Sequence, residues 1–251
     1  MSDWAPALLR AAAAFAPDPA VAWRLAERAQ WPAVDDYDAL LATRRLGAVC
    51  PGLRFVAQAP RPRRRAPGAP PGPGYNESIV AGAVPTRPRS WHDLFNAMIW
   101  SALPAAKRAI HHRQRDLIAA RGAASGPTAR SRREDTLAMI DEGGLVLATR
   151  ADDAAVVTQA VEAGDQASVD ALAGAQAVRA VVCGHALLEH LARAQPARGF
   201  PVVVVVERLD DLGAIDDALA HLVPGVGEPG GRPGLRLPPA AGSAWRSPSS
   251  D

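Results

Sequence analysis

The run FPVVVVVE at residues 200–207 constrains the fold of this chain more than any other stretch. Five successive valines are stiff at χ1, so they disfavour a helix and suit a strand that is buried on both faces. Helical patterns at 186–193 and 215–222 flank this strand, and a short apolar strand at 178–183 precedes them. This order predicts a parallel strand pair with a right-handed crossover. We therefore expect an α/β or α+β fold with a mixed sheet and flanking helices.

The composition of the chain changes at its N-terminal region, in one internal stretch and near its end. Helical spacing over 2–46 predicts an N-terminal helical layer. The 23 prolines and 21 glycines concentrate at 59–74 and 224–239. A chain of 251 residues with 48% hydrophobic residues can bury its core as one domain. We expect a single globular domain over 1–223, a disordered Pro/Arg-rich insertion at 59–74, and an extended or disordered Pro/Gly-rich tail at 224–251.

Cysteine usage and hydropathy point to a cytoplasmic, soluble protein. Cys50 and Cys183 are too few for a disulfide framework, which fits a reducing compartment. The first twenty residues carry an early acid and an arginine inside the apolar run, unlike a secretory signal. No apolar run is long enough to cross a bilayer, so no membrane partner is expected. The sequence carries no strong signal for an oligomer.

The net charge of +2 hides an uneven distribution. Residues 107–133 carry eight Lys or Arg against one acid, whereas residues 134–220 carry fifteen acids against five Arg. A basic loop at 61–65 adds to the positive side, and such surfaces can contact phosphate, nucleic acid or an acidic partner. A helix is predicted over 104–121, with an exposed face formed by Lys107, Arg108, His111, Arg113 and Arg115.

The stretch VPTRPRSWHDLFNAMIW at 84–100 combines a turn, a helix start and several reactive side chains. Pro85 and Pro88 keep the preceding residues out of the helical region, so the segment approaches as an extended arm. Ser90 is a good N-cap, and Asp93 follows at the capping-box spacing, with Asp in place of Glu or Gln. We expect a helix over 90–102 with one apolar, core-facing stripe.

Polar side chains gather at this helix start and at two other points of the chain. His92, Asp93 and Asn96 share one arc of the first two turns, beside the arm that carries Arg87. His185 begins a second helix. A β-hairpin is predicted over 136–150, because two β-capable runs flank a short acidic, glycine-rich turn, with Asp141 and Glu142 at its tip.

The motifs VPTR, WHDLFNA, IDEGG and CGHALLEHL occur in this order over roughly residues 50–220. With them the chain resembles a bacterial family of unknown function, the domain-of-unknown-function family numbered three thousand and twenty-five. It departs from the family pattern by the Pro/Arg insertion before Tyr75, and by Ile140 and Cys183 where aromatic residues are expected. The resemblance implies a common fold unit, but it implies no activity, substrate or cofactor.

Three interpretations of function stay open, and the sequence does not decide whether the protein is an enzyme. The first is a hydrolase-like or metal-assisted pocket around the helix 90–102, because imidazoles and carboxylates serve acid–base catalysis and divalent ions. The chain has no HExxH motif, nucleophile elbow, Walker loop or dinucleotide fingerprint. The second is a non-catalytic binding protein that uses the basic helix and loop, and the third is a purely structural domain. The first interpretation assigns catalysis to His92, Asp93, Asn96 and His185, substrate binding to Arg87 and Arg133, and a possible divalent metal to Asp141 and Glu142.

Overall fold

The structure is a computed structural model that describes residues 3–58, 74–122, 130–227 and 234–237. These residues form helices that flank two small sheets, which confirms the predicted fold class. Short 3-10 helices occupy Val34–Asp36, Ala151–Asp153 and Val223–Gly225. The helices are α1 (Pro6–Ala12), α2 (Pro19–Ala26), α3 (Tyr37–Leu40), α4 (Arg44–Val49), α5 (Tyr75–Val80), α6 (Trp91–Ala102), α7 (Pro104–Gly122), α8 (Arg132–Gly143), α9 (Ala154–Ala163), α10 (Gln166–Gly174), α11 (His185–Ala192) and α12 (Leu212–Leu222). The strands are β1 (Arg54–Ala57), β2 (Ala83–Thr86), β3 (Gly144–Thr149), β4 (Val178–Val182) and β5 (Phe200–Val205).

The larger sheet is mixed and has the strand order β4-β3-β5. Strand β3 runs antiparallel to β4 and parallel to β5, so that Val146 stands between Val181 and Val202. The predicted parallel pair of β4 and β5 is therefore wrong, because the two strands lie on opposite sides of β3 and run in opposite directions. The valine run forms an edge strand rather than an interior one. Strand β3 takes the centre, and all six of its residues are buried.

The predicted hairpin over 136–150 is also wrong. Residues 132–143 form helix α8, and the chain passes directly into β3. Ser131 begins this helix with a capping box, since its side chain accepts from the Glu134 amide while Glu134 accepts from the Ser131 amide. The Glu142-Gly143-Gly144 segment is consequently a helix-to-strand junction, not a turn between two strands.

The extended arm before helix α6 is strand β2, which pairs in parallel with β1. The helix begins as predicted, with the Ser90 hydroxyl accepting from the Asp93 amide. Trp91 anchors its first turn in an aromatic cluster with the N-terminal layer, its ring centroid 5.2 Å from Trp4 and 4.6 Å from Trp31. Every residue of α6 except His92 is buried. The helix thus crosses the core and exposes one imidazole at its start.

Two glycines let the end of α8 and the start of α11 approach each other. The amides of Cys183 and Gly184 both donate to the Gly144 carbonyl, at 3.0 and 2.9 Å. A Cβ on Gly184 would come within 2.5 Å of the Glu142 carbonyl oxygen, and one on Gly144 would overlap Cys183 Sγ. Only residues without a Cβ fit here. This contact brings the residues after Ile140 beside His185.

The described residues of the C-terminal tail begin within the 3-10 helix Val223–Gly225, and further on Leu235 is buried and forms an antiparallel bridge with Gly199. The Pro/Arg-rich insertion expected at 59–74 lies almost wholly outside the described residues, as do residues 228–233 and 238–251 of the tail. Within the described ranges, no helix has both the length and the apolar character needed to cross a membrane.

Candidate functional site

Three side chains from three different helices converge on one point, which we call the triad: His92, Glu142 and His185. The two Nε2 atoms lie 3.0 Å apart, and His185 Nε2 is 3.1 Å from Glu142 Oε2. His92 Nε2 is 3.8 Å from the same carboxylate oxygen. His185 is buried, whereas the side chains of His92 and Glu142 are 37% and 51% exposed. The triad therefore has one buried member, His185, and two members that face solvent.

A backbone carbonyl orients His185. Its Nδ1 lies 2.8 Å from the Asp141 carbonyl oxygen, and because a carbonyl only accepts, Nδ1 carries the proton. In the neutral ring, Nε2 then points its lone pair at His92 and Glu142, whereas in the doubly protonated ring it donates to Glu142. Hydrogen bonds of this kind fix the tautomer of histidines that bind metals.

A carboxylate stands behind the other imidazole. Glu189 Oε2 lies 3.9 Å from His92 Nδ1, on the ring edge away from the triad. Glu189 is one helical turn after His185, and Arg193, a further turn on, donates to it at 2.8 and 2.9 Å. Helix α11 therefore supplies one member of the triad and a carboxylate that lies beside a second.

The electrostatics of the triad require a positive charge or a shared proton. Burial, together with the neighbouring His185, lowers the pKa of His92, and a hydrogen bond with His185 lowers the pKa of Glu142. Three electron-pair donors facing one another repel unless a proton or a cation lies between them. Around a tetrahedral metal with bonds of about 2.05 Å, ligand atoms are roughly 3.3 Å apart. The observed separations of 3.0, 3.1 and 3.8 Å bracket this value.

The carboxylate of Asp141 points away from the triad. It pairs with Lys107 Nζ at 2.5 Å and lies 3.7 Å from His111 Nε2. Although burial opposes ionisation, the Lys107 charge holds the pKa of Asp141 below its usual range. The predicted metal-binding pair of Asp141 and Glu142 is thus divided, because consecutive residues on a helix point in different directions. Glu142 faces the triad, and Asp141 contributes only its backbone carbonyl.

Arg87 and Asp93 bind each other rather than the triad. The Asp93 carboxylate accepts from the Arg87 amide at 2.6 Å and from its guanidinium at distances down to 2.5 Å. This pairing also replaces the predicted return bond from Asp93 to the Ser90 amide. Arg133 is exposed near the start of α8, about 14 Å along the helix axis from Glu142. Neither arginine contacts the triad.

A second polar group lies one turn further into the molecule. Asn96 follows His92 by four positions, and its Nδ2 donates to the Tyr75 hydroxyl at 3.1 Å. His111, from α7, contacts the Tyr75 ring, and its Nδ1 donates to the Asn76 side-chain oxygen at 2.9 Å. Asn96 thus lies one helical turn after His92 on α6, and its hydrogen bond goes to Tyr75.

The predicted basic face of α7 is only partly a surface. Lys107 and His111 are both 1% exposed and face inward, so the interpretation that used them as surface residues is wrong for these two. Arg108 donates to the Val49 carbonyl, and Arg115 pairs with Asp116. The basic face keeps Arg108, Arg113 and Arg115.

Sequence reasoning missed four residues around the triad: Tyr75, Lys107, His111 and Glu189. The spacing of His185 and Glu189 was a usable signal, since positions i and i+4 share a helix face. Lys107 and His111 share a face in the same way, but the sequence does not show that this face is buried. For Tyr75 the sequence contained no signal.

The fold and site define an α+β protein with a candidate metal centre of two histidines and one carboxylate. The chain belongs to the family described as Protein of unknown function (DUF3025), whose model matches residues 53–217. The matched span includes all three triad residues and confirms the resemblance. No curated protein and no solved structure matches the chain.

Proposed function

We propose that this protein is a metal-dependent hydrolase in which His92, Glu142 and His185 bind a divalent ion, with zinc the best fit. The observation that carries the proposal is the convergence of their three ligand atoms within 4.8 Å of one another. Two imidazoles and a carboxylate are a ligand set of catalytic zinc sites, which use three protein ligands and leave a fourth position for water.

A metal bound by this set would supply a nucleophile at neutral pH, because it lowers the pKa of its bound water to about 7 and polarises a carbonyl or phosphoryl oxygen. The protein's own residues orient the ligands. The Asp141 carbonyl holds His185, and Glu189 stands behind the outer nitrogen of His92. The exposed sides of His92 and Glu142 leave a path for a substrate.

The competing arrangement is an acid–base pair without a metal, in which His185 carries a second proton that Glu142 accepts. Zinc binding separates the two arrangements. A metal site binds one equivalent of zinc and releases protons as it does so, whereas an acid–base pair needs no zinc to function. A phosphate-binding role has less support than the metal site, because the basic face of α7 keeps only three exposed or half-buried arginines among its five predicted members.

The experiment is a calorimetric zinc titration of chelator-treated protein at pH 7, with a competing chelator. We expect one zinc per chain in the wild type and an affinity at least tenfold weaker in His92→Ala and in Glu142→Gln, as in metal sites generally. His190→Ala is the matched control, because His190 is exposed on the same helix as His185. This variant should bind zinc like the wild type.

The hydrolase part of the proposal is tested on chromogenic carboxylic and phosphate esters. The activity of the wild type should disappear on treatment with EDTA and return when zinc is added. Glu142→Gln should stay inactive after zinc is added. A wild-type protein that binds zinc no better than His92→Ala would refute the metal site. Zinc binding without metal-dependent hydrolysis would refute the hydrolase.

A further inference from the structure

Four residues next to the triad form an inner polar cluster: Tyr75, Asn96, Trp100 and His111. Asn96 Oδ1, Trp100 Nε1 and His111 Nε2 are buried, and none of them has a hydrogen-bond partner among the residues that the structure describes. The three residues are at most 6% exposed. A buried polar group without a partner costs more stability than an ordinary hydrogen bond contributes, so such groups in a native protein call for a specific partner.

The hydrogen-bonding role of each atom follows from its neighbours. Asn96 Nδ2 donates to Tyr75, which leaves Oδ1 as an acceptor. His111 Nδ1 faces the Asn76 side-chain oxygen at 2.9 Å and therefore carries the proton, so that Nε2 is an acceptor. Burial lowers the pKa of His111 to about 4, which keeps the ring neutral at pH 7. The indole N–H of Trp100 and the hydroxyl of Tyr75 are donors. The cluster thus offers both acceptors and donors.

The inner polar cluster adjoins the triad from two sides. Asn96 lies one helical turn after His92, a spacing that puts their Cβ atoms about 6 Å apart. His111 Nε2 lies 3.7 Å from Asp141 Oδ1, and although this carboxylate points away from the triad, the backbone carbonyl of the same residue contacts His185. The rings of Trp100 and His111 stack with their centroids 5.5 Å apart, which holds the cluster together. A ligand bound at the triad must therefore extend about one helical turn, roughly 6 Å, inward along α6 to reach Asn96 Oδ1.

We infer that the inner polar cluster binds a hydroxyl group of the substrate, close to the carbonyl or phosphoryl group that the metal binds. This inference rests on the proposed function and specifies the substrate class. A hydroxyl both donates and accepts, so it can satisfy Asn96 Oδ1 or His111 Nε2 together with Trp100 Nε1. An ammonium group only donates and a carboxylate only accepts. A permanently bound internal water is the competing occupant.

Two zinc-chelating probes test the inference: glycolohydroxamate and propionohydroxamate. They have the same size, charge and chelating group, and differ only by a hydroxyl in place of a methyl. Their affinities for the zinc-loaded wild-type protein are measured by calorimetry. We expect glycolohydroxamate to bind about tenfold more tightly, as one hydrogen bond to a buried, otherwise unpaired group allows.

Variants locate the preference. Asn96→Leu and His111→Phe should each reduce the ratio of the two affinities toward one, and the zinc affinity of each variant is measured first so that both probes are compared on fully zinc-loaded protein. His112→Phe is the matched control on α7, because His112 is half-buried and lies outside the cluster. It should keep the wild-type ratio. If a core variant does not fold, the ratio in the wild type decides the question.

Equal affinities of the two probes in the wild type would overturn the inference and indicate internal water. A preference that survives in both Asn96→Leu and His111→Phe would also overturn it. If the wild type fails to bind zinc in the titration without probes, the proposed function fails first and the substrate inference falls with it. The two failures are therefore distinguishable.

Discussion

The buried pair of Lys107 and Asp141 allows a quantitative test of how the site is supported. Lys107 is 1% and Asp141 8% exposed, and their charged atoms lie 2.5 Å apart. Lys107→Met keeps the length and apolar stem of the side chain but removes the charge. The Asp141 carboxylate would then stay buried without its Lys107 partner, with His111 Nε2 at 3.7 Å. Removal of one partner from a buried ion pair typically costs about 3–5 kcal/mol.

The assay is urea unfolding of metal-free protein at pH 7, so that zinc does not contribute to stability. We expect Lys107→Met to lower the free energy of unfolding by about 3–5 kcal/mol. The double variant Lys107→Met/Asp141→Leu should lose less than either single variant, because it leaves no unpaired buried charge. Arg115→Met is the control, since its partner Asp116 is exposed and such pairs contribute about 0–1 kcal/mol.

A loss below about 1 kcal/mol in Lys107→Met, comparable to the Arg115 control, would refute this reasoning. It would mean that the Asp141 carboxylate finds water or another partner. A double variant less stable than both single variants would also contradict it. In the variants that fold, zinc affinity should fall roughly 10–100-fold if the pair also holds the Asp141 carbonyl against His185.

Three further predictions concern the elements that position the site. Gly184→Ala forces a Cβ against the Glu142 carbonyl, so we expect a loss of at least about 1–3 kcal/mol in thermal unfolding together with weaker zinc binding. Asp216→Ala removes the acceptor of two amides at the start of α7 and should cost about 3 kcal/mol in urea unfolding, whereas the exposed Asp217→Ala should cost under 1. Burial raises the pKa of Glu134, but hydrogen bonds from Ser131 lower it to a value below the ordinary 4.5. The stabilisation that the Glu134 carboxylate gives the fold is therefore complete above pH 4.5, and it is lost as the pH falls through the lower pKa of the folded state. Glu134→Gln should flatten the stability profile in that acidic window, and an unchanged slope would contradict the assignment.

Local signals predicted the elements that have strong local causes. The prolines and Ser90 place the start of α6 correctly, and the valine run forms a strand as expected. The hairpin prediction failed because two local signals compete over 131–150. The acidic Gly-Gly segment suggested a turn, but Ser131 and Glu134 form a capping box that starts a helix, and residues 132–143 extend it. The capping-box residues were visible in the sequence, and the helix that they begin prevails over the turn that the Gly-Gly segment suggested.

The strand order and the convergence of the site depend on long-range contacts that local patterns do not contain. His92 and His185 are 93 positions apart, and His185 lies 44 positions after the carbonyl that orients it. The chemistry of each triad residue made it a candidate in the sequence, but the sequence did not predict that the three side chains converge in the fold. Lys107 illustrates the same limit, since its burial depends on a carboxylate 34 positions away. A polar helix face therefore does not establish exposure.

Helix α6 shows where the described structure leaves polar atoms unpaired. Its buried Asp93 is paired with Arg87, and its buried Ser101 donates to the Leu41 carbonyl at 2.6 Å. Asn96 and Trp100 each leave one atom without a partner, on the side of the helix where Tyr75 and His111 pack. Folding alone favours a complete pairing of buried groups, and departures from it concentrate at functional sites. We therefore propose that the unpaired atoms of α6 and His92 form one binding site, with His92 at its outer end.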